Sequence, residues 1–371
     1  PRTISLDPDE LGRVRSITWP DSSSETFGFD SLGNLTNHVD AAGRTTRYAW
    51  LPTRKLAAVT RTLTGASNQD ATVQFDYDQQ FNTVAVRDEL GRTVESYQLD
   101  LQDRPTKVIN VESQQMTIAW GLLDMAQSMQ RFDGTVVSMS YDEGARLKRV
   151  DYPDGSTAFN YFQNGLLRSA SNACGTVSNS YDGANRLTGI RSTVGTRTNT
   201  LSYLRDPAGN VTNVQVSGLQ CGASRTFDAG ERVATITAQR GALSPLGVQY
   251  GHDPYNGLIS SLAFTNSGIT CAWSYNSLDR LTGMTWRDSS NNVLRSRAYS
   301  YTVDGMISRI DEETGEHVDF TYDSLGRLTG ETHVSPGGQT LAEDTYEYDL
   351  AGNRTAKTAS DEGGGYLTVN Y

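Results

Sequence analysis

The sequence predicts an all-β protein: about 16 antiparallel β-hairpin repeats running through residues 1–371 as one domain, joined into one continuous spiralling sheet or hollow shell. Three observations predict it. A Tyr/Phe-Asp-x-x-Gly turn recurs from end to end at intervals of 20 to 27 residues, inside the 20–50 range that marks solenoids, propellers and arrays. The segments between turns alternate in the period of two that strands require, as in Thr135 to Tyr141 and Gly315 to Tyr322. Only 36% of residues are hydrophobic while 35 are Gly and 18 are Tyr, a mixture suited to short strands and tight turns.

The turn is clearest at Tyr322-Asp323-Ser324-Leu325-Gly326-Arg327-Leu328-Thr329. Close copies begin at Phe29-Asp30, with Gly33, and at Tyr348-Asp349, with Gly352; looser ones carry Asp142, Asp182, Asp206 with Gly209, and Asn276. Counting degenerate copies, the Asp position falls at 9, 30, 51, 78, 100, 121, 142, 162, 182, 206, 228, 253, 276, 302, 323 and 349. The carboxylate at this position can accept the backbone N–H two residues on, which fixes the corner. Gly at the fourth position adopts the positive φ that closes a type I turn with a bulge. A β-branched residue there costs about 1–2 kcal/mol in local strain. The flanking Tyr and Leu point to one face, where neighbouring hairpins can form side-chain ladders.

A second set of turns lies roughly ten residues after the first, as at Asp40 to Thr45, Asp88 to Thr93, Phe132 to Thr135 and Tyr152 to Thr157. Two turns per repeat mean two strands per repeat. The stretch from Met116 to Ser128 is the least regular and admits a short helix at Trp120 to Asp124. One hairpin alone is marginally stable, so stability must accumulate by stacking. About 32 strands at about 4.8 Å make a ribbon near ~150 Å wide, which must curl, split or close. Rolled up, it is too wide for side chains to fill.

Composition and motifs argue against several functions. The formal net charge is −11, with 32 Lys and Arg against 43 Asp and Glu, which disfavours a nucleic-acid partner. No apolar run approaches the ~20 residues of a membrane span. Cys174, Cys221 and Cys271 are widely spaced and form no CxxC; small structural residues are favoured over a redox pair, and any disulfide pairing stays open. His38, His252, His317 and His333 show no metal-ligand spacing and no partner nucleophile motif. The acidic run Asp311-Glu312-Glu313-Thr314-Gly315-Glu316 occupies a second-turn register without a Ca²⁺-loop ligand pattern. Asp206-Pro207 has the form of a self-cleaving bond but sits in the ordinary turn register. Gly363-Gly364-Gly365 lacks the Lys-Ser/Thr of a phosphate loop. Trp19, Trp50, Trp273 and Trp286 are read as ladder packing rather than as sugar-stacking platforms. No catalytic residue, cofactor or metal is expected.

The repeats resemble the YD or RHS repeats of bacterial RHS proteins, of the wrapping components of insecticidal toxin complexes, and of animal teneurins. The spacing, the Tyr/Phe-Asp pair, the Gly and the Arg/Asn-Leu-Thr that follows carry the resemblance along essentially the whole chain. It implies a non-catalytic β-shell in a secreted or cell-surface protein, one that in toxin members encloses a C-terminal cytotoxic domain. It also implies possible cell-surface glycan contact, and the alternative is an adhesive or fibre-forming protein without cargo. The chain begins Pro1-Arg2-Thr3 without a signal-peptide pattern, and neither a closing region nor an effector domain is evident within these 371 residues. It reads as a segment of a longer array, whose cut edges would favour end-to-end self-association.

Overall fold

The computed structural model describes residues 3–62, 70–217, 221–360 and 365–371. Among them are 33 strands in one antiparallel sheet, in which strands successive in sequence are hydrogen-bonded to one another. Strand Ser24–Phe29, for example, pairs on one side with Val14–Thr18 and on the other with Leu35–Val39. The one helical element among the described residues is a 3₁₀ turn at Leu122–Asp124, inside the stretch whose sequence departs from the repeat. Two compact units are present: Pro1–Ser96 with Cys271–Tyr371, and Tyr97–Thr270.

Bulges accompany the first-register turns. Pairing shifts register between Thr321 and Tyr322, between Ser140 and Tyr141, and between Gly28 and Phe29. In each case the extra residue is the second of the strand that follows the turn, Thr329, Lys148 or Thr36.

Cross-strand partners sort the side chains of Tyr97–Thr270 onto two different faces. Met139 faces Val150, Ile190 faces Leu201, and Val248 faces both Ile236 and Phe264. On the opposite face Asn160 meets Ser169, Ser169 meets Ser178, and Ser224 meets Thr237. Alternation therefore produces one face richer in apolar side chains and one polar face, which also carries Arg149, Asp151 and Arg191. Charge is divided by unit as well: Tyr97–Thr270 contains 14 cations and 14 carboxylates, so the whole excess of 11 carboxylates lies in the other unit.

Burial is shallow throughout. Among the described residues only Ala71, Ala85, Val108, Val137, Val150, Cys271 and Ala356 form a fully buried apolar set. The chain exposes 22631 Å². A compact monomer of this mass exposes about 14,500 Å². Most strand residues are half-buried by their ladder neighbours, without a second layer over them.

Candidate functional site

The repeating turn is the most highly organised site in the chain. At Asp323 the N–H of Asp323 donates to Arg327 O at 2.9 Å, and the N–H of Gly326 donates back to Asp323 O at 2.9 Å. Oδ1 of Asp323 accepts the N–H groups of Leu325 and Arg327, each at 2.9 Å. Oδ2 accepts Nε of Arg327 at 2.6 Å, so the carboxylate also holds the residue four positions on. Fourteen of the sixteen anticipated positions close with this same pair of backbone bonds; the turn at Asp253 is one residue longer, and that at Gly121 is replaced by the 3₁₀ turn.

The residue after the Gly has a second task that sequence reasoning missed. Nη1 of Arg327 donates to the carbonyl of Asp349, 2.6 Å away, and its guanidinium lies 4.8 Å over the ring of Tyr348. Arg13 over Phe29, Arg146 over Tyr161 and Arg280 over Tyr301 repeat the arrangement. Each such Arg therefore ties its own turn to the next repeat, through a charge-assisted hydrogen bond and a cation–π contact. Asn34, Asn210 and Asn353 hold their own aspartates in the same position, with an amide in place of the guanidinium.

The Tyr that opens the motif reaches backwards. The hydroxyl of Tyr322 donates to Ile307 O at 2.8 Å, that of Tyr161 to Leu147 O at 2.8 Å, and that of Tyr301 to Leu281 O at 2.6 Å. The acceptor is the first residue after the preceding first-register turn. Trp50 and Trp120 perform the same task with their indole N–H, and Arg205 does so with its guanidinium. The recurrence of Arg-Leu after the Gly was the available signal. Its acceptor role is a backbone property, which side-chain identity does not display.

The fourth turn position is less restricted than the motif implies. Gly33, Gly209, Gly326 and Gly352 occupy it with φ of 78–99°, as expected. Arg54, Phe81, Asp103, Ala145, Asn185, Glu231 and Asp279 adopt the same left-handed conformation. The hydrogen-bonded turn and the paired strands on both sides hold these residues there, against a cost of about 1–2 kcal/mol.

Hydrogen bonding sets the carboxylate acidity. Asp100, Asp142 and Asp228 are held below the ordinary aspartate value by the side chains of Arg104, Arg146 and Arg232, then by backbone N–H groups; Asp228 falls to about 2. At Asp206 burial pushes the other way, and the bonds from Asn210 outweigh it, so this carboxyl also lies low. Burial raises the phenols of Tyr301 and Tyr322.

The other sequence candidates are occupied by structural contacts. Glu312 pairs with Arg297 at 2.7 Å, and Glu313 accepts the N–H of Ser296 at 3.0 Å. Among the described residues no group of three His, Cys, Asp or Glu is placed to hold a metal ion. His38 stacks on Phe27 with 4.8 Å between centroids and contacts Glu25 at 2.9 Å; His333 contacts Glu331 at 3.0 Å. All five Trp are half-buried. Cys174, Cys221 and Cys271 are exposed, half-buried and buried in that order. Gly363 and Gly364 lie outside the described residues.

The comparisons with known proteins agree with this geometry. The family model described as Teneurin YD-shell matches residues 162–371, and that described as RHS Repeat matches residues 9–45. The crystal structure of TcdB2-TccC3-Cdc42 superposes on 98% of this chain with a TM-score of 0.80 at 14% identity. The Photorhabdus luminescens Tc holotoxin pore superposes on 98% with a TM-score of 0.79, also at 14% identity. TcdB2-TccC3 without its hypervariable C-terminal region gives a TM-score of 0.80 over 98% of this chain, again at 14% identity. This chain spans only 23–24% of those chains. No curated protein sequence matches it. With more than half its length matched by the family model and the repeat geometry continuous from the first turns to the last strand, the chain belongs to the teneurin YD-shell family.

Proposed function

We propose that this chain is a length of wall in a non-catalytic shell that encloses a protein cargo, a toxin domain in the reading the sequence favours. The observation that carries the proposal is the single-layer sheet. It exposes 22631 Å², and in Tyr97–Thr270 its two sides differ, one richer in apolar side chains and the other polar. A catalytic scaffold concentrates a few groups in one cleft. Here the ionisable groups are spread along the repeat and bonded to one another. The shared fold with TcdB2-TccC3 supports the same reading, as does the hypervariable C-terminal region named for that protein. Secretion or display at a cell surface goes with such a role; no helix among the described residues is long and apolar enough to cross a membrane.

Glycan adhesion has less behind it. Trp19, Trp50 and Trp120 direct their indole N–H groups to Glu25, Leu35 O and Pro105 O, which leaves them as ladder members rather than free platforms. The deciding experiment is protease protection of the natural gene product. An enclosed polypeptide should survive protease in buffer and be digested once denaturant opens the wall. Digestion at the same rate in both conditions would show that nothing is enclosed.

A further inference from the structure

Within the unit formed by Pro1–Ser96 and Cys271–Tyr371, two rows of hairpin tips meet. One row holds second-register turns at residues 19–23, 40–44 and 88–92. The other holds first-register turns at residues 276–280, 302–306, 323–327 and 349–353. Nη2 of Arg280 lies 3.4 Å from Oδ2 of Asp21. Nη2 of Arg44 lies 2.6 Å from Oδ2 of Asp304, a side chain only 8% exposed. A Cβ added at Gly326 would sit 3.4 Å from Nη1 of Arg44, so the tip at 40–44 reaches between two tips of the facing row. A cavity of about 480 Å³ there is lined from both rows, by His38, Arg44 and Tyr48 and by Ser324 and Leu325. Further along, the charge of Arg92 acts on Asp349.

Two of the four tips in the second row depart from the aspartate motif, and both departures fall at these contacts. Asn276 still closes its turn, since Oδ1 accepts the N–H groups of Leu278 and Arg280, each at 3.0 Å. It has no second carboxylate oxygen to take the guanidinium. Nε of Arg280 is accordingly buried without a hydrogen-bond partner, and Nη2 reaches Asp21 instead. Thr302 closes its turn through its hydroxyl, which accepts the N–H of Met306 at 3.0 Å. With Met306 where the motif carries Arg, this turn brings no guanidinium of its own. Asp304 bonds the Thr302 hydroxyl and takes Arg44 from the facing row.

We propose that Asn276 and Thr302–Asp304 are recognition elements, not degenerate copies, and that they form an interaction surface whose partner is the hairpin-tip row of this chain's own first stretch, held in one register. The sign of charge supports a single register. The cation comes from the second row at Arg280 and from the first row at Arg44. A slip of one tip would set Arg44 against Arg280 and leave the nearly buried Asp304 without a cation. Like charges in contact and an unpaired buried carboxylate both oppose that arrangement.

Hydrogen exchange on the whole chain tests this, read at the amides of residues 19–23 and 276–280 and at those of 40–44 and 302–306. Asp21→Asn should raise exchange in the facing tip by about 3- to 10-fold, as expected for a half-buried coupled pair. Arg44→Asp and Asp304→Arg should each do the same at their own pair of tips, and the double exchange should bring residues 302–306 back toward the parent, below either single, while 40–44 stays faster because Arg44 also holds Asp40. Asn276→Asp should slow exchange in its own turn and speed it at residues 19–23, because Arg280 is drawn back into its own turn. If a charge reversal prevents folding, Asp21→Asn and Asn276→Asp carry the test by themselves. Facing tips that stay within about 2-fold of the parent in both, or a double exchange no better than its singles, would overturn the proposal.

Discussion

The hydroxyl of Tyr348 donates to the carbonyl oxygen of Leu328 at 2.9 Å, across one whole repeat, while Arg327 lies over the ring of the same tyrosine. Two residues of one repeat are thus joined to one residue of the next by two different forces. Tyr348→Phe removes the hydrogen bond and keeps the ring, so it should cost about 1 kcal/mol of unfolding free energy. Arg327→Lys keeps the charge but not the fork that serves Asp323 and Asp349 O together, and should cost about 1–2 kcal/mol. Urea denaturation of the two single variants and the double measures both; strict additivity would show that the two contacts are independent.

Acid should weaken the fold in a defined window. Asp100, Asp142, Asp228 and Asp349 are held below 3.8 in the folded chain, first by the side chains of Arg104, Arg146, Arg232 and Asn353. A carboxyl with a depressed folded value stabilises the fold fully above its unfolded value, and that contribution is lost as pH falls through the folded one. The urea midpoint should therefore be level from about pH 7 to about pH 5 and fall between about pH 5 and pH 2. Asp228→Asn should lower the midpoint at neutral pH and flatten the acid slope. A midpoint unchanged at pH 3 would contradict the turn electrostatics.

Turn glycines should differ in what they tolerate. Gly326 has φ +78° and would place a Cβ 3.4 Å from both Arg44 Nη1 and Met306 Sδ, whereas Gly352 has φ +87° and open space. Gly326→Val should cost about 1–3 kcal/mol. Gly352→Asn should cost less than about 1 kcal/mol, since Asn185 already occupies the equivalent position at φ 63°. Thermal unfolding that ranks the two the other way would contradict this reading of the position.

The Asp206-Pro207 bond should stay intact. Oδ1 and Oδ2 of Asp206 accept the N–H and the side-chain amide of Asn210 at 2.8 and 3.1 Å, and the carboxyl is held low. A carboxylate so engaged is poorly placed to attack its own peptide bond or to share a proton. Intact-mass measurement after days at pH 7 should find one species. Fragments ending at Asp206 that Asp206→Asn abolishes would make the turn a cleavage site.

Local chemistry recurring along one chain determined most of the architecture. Tyr, Asp and Gly at fixed offsets specify a turn whose bonds close within five residues, so the turn positions, the strands between them and the all-β class were readable in order. The backbone carbonyl that each Tyr seeks was not readable, because it belongs to the preceding repeat and comes within reach only when neighbouring hairpins pair. The same holds for non-glycine residues at positive φ, which the paired strands on either side impose on Arg54 and Phe81. Sequence alone makes Asn276 and Thr302 weak copies of a motif. Only the tertiary structure brings Asp21 to Arg280 and Arg44 to Asp304, because contacts between residues more than 250 positions apart depend on how successive hairpins turn relative to one another, and no local spacing encodes that angle.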